Sequence, residues 1–84
     1  MNKVLSVQVT GPCDLICELS NKKLYRFDMG FVLREDSPMV KPLRDPAFFA
    51  KVFLENGHLT WPNGYDIHAD TIVRDGIPLN QEAS

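Results

Sequence analysis

The sequence predicts an α+β fold: a small, mainly antiparallel sheet, made of a three-stranded meander plus a hairpin, with two short helices packed on it. Three features carry that expectation. Apolar and polar residues alternate in three runs before Asp28, an Asn56-Gly57 pair separates two further alternating runs, and Asp45-Pro46 reads as a helix start. At 84 residues the chain has room for one hydrophobic core, because a domain of this size hides only about 60% of the surface its unfolded chain exposes. A single domain is expected over residues 1–77, with 78–84 as a flexible C-terminal tail or the start of a linker.

In the first run, from Val4 to Thr10, Leu5, Val7 and Val9 fall on one face and Val4, Ser6, Gln8 and Thr10 on the other, the period of a half-buried strand. Gly11 and Pro12 break it. The second run places Cys13, Leu15, Cys17 and Leu19 on a core face, opposite Asp14, Ile16, Glu18 and Ser20. Ser20 to Lys23 supply a turn, and a third strand from Leu24 to Asp28 carries Tyr25 and Phe27 inward. Between Asp28 and Pro42 the pattern weakens. Phe31, Val32 and Leu33 allow one helical turn, and the stretch from Arg34 to Pro38 reads as loop.

The first of the two helices begins at Pro46, whose missing N–H costs nothing at the first helical position, while the Asp45 carboxylate is placed to accept a free backbone N–H. Phe48 and Phe49 would lie against the sheet. Asn56-Gly57 supplies the positive φ values of a tight type I′ turn, which fixes the register of the hairpin. Glu55 then faces His58, Leu54 faces Leu59, Phe53 faces Thr60 and Val52 faces Trp61, so that Val52, Leu54, Leu59 and Trp61 share one side. Pro62-Asn63-Gly64 is a turn by residue type, and a last helix from Ala69 to Arg74, stopped at Gly76, would bury Ile72 together with Ile67 and Val73.

Composition narrows the function classes. A hydrophobic content of 44% and a charged content of 24% are those of an ordinary folded soluble domain. A net charge of −2 with scattered Lys and Arg argues against direct nucleic-acid binding. The start lacks the apolar stretch of a signal peptide, and no run approaches the roughly 20 apolar residues that span a bilayer, so a cytoplasmic protein with no membrane partner is expected. Cys13 and Cys17 sit four apart in a strand, about 13 Å between Cα atoms, beyond the roughly 7 Å a disulfide allows. Two buried free thiols of a reducing compartment are expected. No Gly-rich phosphate loop, His-Glu-x-x-His or Gly-x-Ser-x-Gly motif is present, and no catalytic residue, cofactor or metal is expected.

Several pieces together resemble the bacterial family known as domain of unknown function 2442. They are Tyr25-Arg26-Phe27-Asp28, Leu43-Arg44-Asp45-Pro46 with Phe49, Gly57-His58-Leu59-Thr60-Trp61-Pro62-Asn63-Gly64, and Asp66 followed by Asp70, spread from Lys23 to Gly76. The sequence departs from the family pattern at His68 and Ala69, where many relatives carry a small polar residue followed by proline. The resemblance implies no established activity. Its members look like free-standing small proteins, often beside another small gene in a toxin–antitoxin-like arrangement, or like an N-terminal module ahead of a helix-turn-helix.

Four groups of residues invite a functional reading. Trp61, Asn63, Tyr65 and Asp66 mix aromatic rings, a tight turn and a carboxylate, which suits a ligand site and equally the exit turn of a hairpin. Asp66, His68, Asp70 and Asp75 carry the ligand types of a metal or acid–base cluster, although Asp66 and Asp70 also suit a helix entrance. Arg44, next to the capping Asp45, could hold an anion or pair with Asp28 or Asp66. Neither cysteine has a sequence link to His58 or His68 that would make it a nucleophile. The expectation is a non-catalytic protein–protein interaction module, antitoxin-like or regulatory, whose partner is another protein or a second copy of itself. The alternative is a sensory or dimerisation module of a helix-turn-helix transcription regulator.

Overall fold

A computed structural model describes residues 2–79. Two antiparallel sheets share one core. The first has the order β1-β2-β3-β7, from β1 (Val4–Val9), β2 (Asp14–Leu19), β3 (Leu24–Asp28) and β7 (Ile77–Pro78); the second has the order β4-β5-β6, from β4 (Phe53–Glu55), β5 (His58–Thr60) and β6 (Asp66–Ile67). Three short helices accompany them, α1 (Gly30–Leu33), α2 (Pro46–Phe49) and α3 (Ala69–Asp75), with a 3-10 turn over Lys41–Arg44. The expected α+β class holds, with the hairpin in a sheet of its own.

The meander forms because its alternation matches its pairing. Leu15, Cys17 and Leu19 of β2 and Tyr25 and Phe27 of β3 are buried on one face, and Ile16 pairs with Arg26 on the other. The first strand departs from its expected facing: Val4 is buried and Leu5 is 55% exposed. The cause is a β-bulge, since Val4 pairs with Leu19 but Ser6 with Glu18, leaving Leu5 as an extra residue on β1. One inserted residue reverses the facing of whatever precedes it. Beyond the bulge Val7 and Val9 are half-buried, as alternation requires.

The second sheet is set by its turn. Asn56 and Gly57 adopt φ values of 54° and 79°, and Glu55–His58, Leu54–Leu59 and Phe53–Thr60 are paired. Val52 does not pair with Trp61; its N–H donates to Phe49 O in the turn leaving α2, and Trp61 N–H donates to Tyr65 O across the next turn. That turn folds the chain back, so Thr60 pairs with Asp66 and Leu59 with Ile67 in a third strand that the sequence did not announce. Thr60 is therefore buried despite its polarity. The two sheets are joined where the Val4 N–H donates to Gly57 O at 2.9 Å.

The helices close the core. Asp45 Oδ1 accepts the Ala47 N–H at 3.1 Å, and Phe49 is fully buried with Phe48 packed beside it. In α3 Ile72 is buried, whereas Val73 is exposed rather than buried, because neighbouring helical positions point about 100° apart. Ile77 to Leu79, expected in or next to the tail, continue the fold: Ile77 pairs with Arg26, Pro78 with Tyr25, and Leu79 N–H donates to Leu24 O. Residues 80–84 of the expected tail lie outside the described residues. Among the described residues no helix is long and apolar enough to cross a membrane.

Candidate functional site

The signature segments bind the loops to the core through side chain to backbone bonds. Arg44 does not meet Asp28 or Asp66. Its Nε donates to Leu33 O at 2.6 Å and its Nη2 to Glu35 O at 2.9 Å, which satisfies carbonyls left free where α1 ends. Trp61 is buried against Phe49 and Tyr65, and its Nε1 donates to Phe49 O at 2.9 Å. Asn63 works in both directions: Nδ2 donates to Met39 O at 3.0 Å and Oδ1 accepts the Tyr65 N–H at 3.2 Å. Gly64, at φ 92°, completes the turn. Arg44 thus closes the 33–44 segment on itself, while Trp61 and Asn63 tie α2 and that segment to the turn that leaves the second sheet.

The candidate group of Asp66, His68, Asp70 and Asp75 does not converge. Asp66 Oδ2 lies 3.9 Å from His68 Nε2, and the His68 ring stacks on His58 at 4.0 Å between centroids. Asp70 sits in the first turn of α3, the end where the helix dipole favours a carboxylate. Asp75 lies at the opposite end, doubly bonded to Arg74, which holds its carboxyl below the usual range. Tyr65 has its hydroxyl pushed up by burial and then by the Glu35 and Asp66 charges, so it stays protonated at neutral pH.

A different group of chemical side chains is brought together by strand register. Asp14 faces Asp28 across β2 and β3, and with Cys13 they place ligand atoms within 4.8 Å of one another. Charge compensation is already supplied, because Arg26 Nη2 lies 3.1 Å from Asp14 Oδ2. Burial, followed by the Asp28 and Asp14 charges, pushes the Cys13 thiol up, and burial pushes Cys17 up to about 12. Both sulfurs are held as thiols, the unreactive form.

Beside this group lies an open cleft of about 290 Å³, lined by Arg26, Asp28, Phe31, Arg34, Asp75 and Ile77. Phe31 is 47% exposed and Ile77 54%. Leu24 and Leu79, also exposed, continue the apolar surface along β3 and its neighbour. Asp28 is occupied by the Gly30 N–H and Asp75 by Arg74, whereas Arg34 has no ion-pair partner among the described residues. Sequence reading missed this surface because it placed Ile77 and Leu79 at the margin of the domain. The available signal was an apolar residue on each side of Pro78, directly after the helix stop at Gly76.

A family model described as protein of unknown function, DUF2442, matches residues 4–78. No curated protein and no solved structure matches the chain. The matched span takes in every strand and helix described above, from Val4 in β1 to Pro78 in β7, including the Arg44, Trp61 and Asn63 clasps. The chain belongs to the DUF2442 family.

Proposed function

We propose that the protein is a non-catalytic protein–protein interaction module, a regulatory or antitoxin-like partner that presents the cleft between β3, α1 and β7 to another protein. The observation that carries this reading is the exposed apolar pair Phe31 and Ile77 beside Arg34 in the cleft, continued along β3 and β7 by the exposed Leu24 and Leu79. Apolar residues scattered singly need no explanation, but a contiguous patch next to a guanidinium with no ion-pair partner among the described residues has the make-up of a contact surface. The non-catalytic part is supported by the chemistry of the thiols, both pushed toward the protonated form, and by the use of Arg44, Trp61 and Asn63 in backbone clasps.

The surface suits a partner with an apolar anchor and a carboxylate, the anchor resting on Phe31 and Ile77 and the carboxylate on Arg34. The test is affinity purification of the tagged protein, at native expression in its own host, beside the Phe31→Asp/Ile77→Asp variant. A stoichiometric protein recovered with the unaltered chain and lost at least about tenfold with the variant, a change of about 1.4 kcal/mol or more, is the expected outcome. Unaccompanied protein, or equal recovery by a variant that melts normally, would overturn the reading.

A further inference from the structure

We propose that the outer edge of β1 joins a second copy of this chain, pairing antiparallel about a twofold axis at Gln8 to give one continuous sheet across a homodimer. This goes beyond the cleft, using the opposite edge of the same sheet.

The hydrogen-bond register identifies which backbone groups are available. Thr10 N–H donates to Asp14 O, and Val9–Leu15, Gln8–Ile16, Val7–Cys17 and Ser6–Glu18 follow in step. In an antiparallel ladder, bonded and non-bonded pairs alternate. Ser6, Gln8 and Thr10 therefore spend their backbone groups on β2, and Val7 and Val9 aim theirs outward. At the start of the edge the Val4 N–H is taken by Gly57 O, and Leu5 is distorted by the bulge. Past the bulge, Val7 and Val9 have no backbone partner among the described residues.

Such an edge is normally blunted by charge, proline, shortness or a bulge. The two edges of this sheet differ in that respect. β7 has only two residues, one of them Pro78; because Leu79 N–H bonds inward to Leu24 O, the Pro78 nitrogen, which carries no hydrogen, falls on the outer side. β1, by contrast, has its bulge only at its start, at Leu5, and from Ser6 to Thr10 it has neither a charged side chain nor a proline.

The exposed stretch is also complementary to itself. With Gln8 on the axis, Val7 N–H donates to the C=O of Val9 of the partner subunit and Val7 C=O accepts the N–H of that same residue, and the symmetric pair does the same. Val7 and Val9, each half-buried in one chain, then meet across the seam on the core side. On the other face Gln8 meets its own copy and Ser6 meets the partner's Thr10, so no like charges oppose one another. One edge proline-blocked and the other self-pairing gives a closed isologous dimer rather than an open fibre.

The experiment is sedimentation equilibrium and native mass spectrometry of the full chain at concentrations up to the order of 100 µM, suited to a small interface. The unaltered chain is expected to dimerise, Gln8→Lys to be monomeric with an unchanged circular dichroism spectrum, and Gln8→Lys mixed with Gln8→Glu to form the one-to-one heterodimer. Amide exchange adds a residue-level readout: Val7 and Val9 lose protection in Gln8→Lys while position 8, bonded to β2, keeps it. Ile77→Asp separates the two proposals, since it should leave the dimer intact while abolishing partner capture. A monomeric unaltered chain, a dimer indifferent to Gln8→Lys, or one broken by Ile77→Asp would overturn the β1 pairing.

Discussion

Arg44 makes no ion pair among the described residues and uses its guanidinium fork on the carbonyls of Leu33 and Glu35. A charged residue beside a helix cap invites a search for a counter-ion, and the sequence pointed to Asp28 or Asp66. It could not show that α1 ends in carbonyls that lack partners, because a four-residue helix has little sequence signature. Hydrogen bonds from charged groups contribute about 1.5–3 kcal/mol when buried, and Arg44 is exposed, so Arg44→Ala should cost about 1–2 kcal/mol in a urea titration. Arg44→Lys should recover less than half, because a single ammonium cannot span both carbonyls. An unchanged midpoint for Arg44→Ala would remove the clasp role. Trp61 was easier to read, since its hairpin register made it a core residue, although its bond to the Phe49 carbonyl joins segments whose approach is set only by the fold.

Legibility at the level of the element followed the range of the forces. The hairpin could be read because two adjacent residues, Asn56 and Gly57, fix its backbone, and the start of α2 because Asp45 and Pro46 are local signals. The bulge at Leu5 could not, since it is a property of how β1 meets β2 and leaves no mark in β1 alone. β6 and β7, each two residues long, exist only because a partner strand is present. Gly76 shows a correct boundary reached for a different reason. A glycine after a helix commonly supplies a left-handed φ, yet Gly76 has φ −81°. What it supplies is space, since a Cβ there would lie 2.6 Å from Ile72 O. Gly76→Ala is accordingly expected to cost about 2 kcal/mol or more, the range of an overpacked site that must displace backbone. Gly11→Ala, whose Cβ would meet only ordinary contacts at 3.7 Å, should stay within about 0.5 kcal/mol. Equal midpoints in thermal or urea unfolding would refute the steric account.

For the whole molecule, the consequence of the fold is that two sheets depend on one core. Leu15, Cys17 and Phe27 from the first sheet, Leu59 and Ile67 from the second with Trp61 in the turn between them, and Phe49 and Ile72 from the helices belong to a single buried cluster. Among the described residues neither sheet has a second hydrophobic layer to retreat to, and a chain this small cannot hold half of its structure without the apolar surface of the other half. Unfolding should therefore be all-or-none. The chain carries a probe in each sheet. Trp61 is its single tryptophan and reports on the second sheet through indole fluorescence, and Cys17, fully buried in β2, reports on the first through pulsed thiol labelling. Because burial pushes the Cys17 thiol up to about 12, labelling near pH 8 is suppressed in the folded state by both access and protonation, and only global opening releases it. The two probes are expected to give one urea midpoint and one slope. A Trp61 transition that clearly precedes Cys17 labelling would mean that the second sheet, with the Trp61 and Asn63 clasps that hold α2 and the 33–44 segment to it, opens as a separate unit.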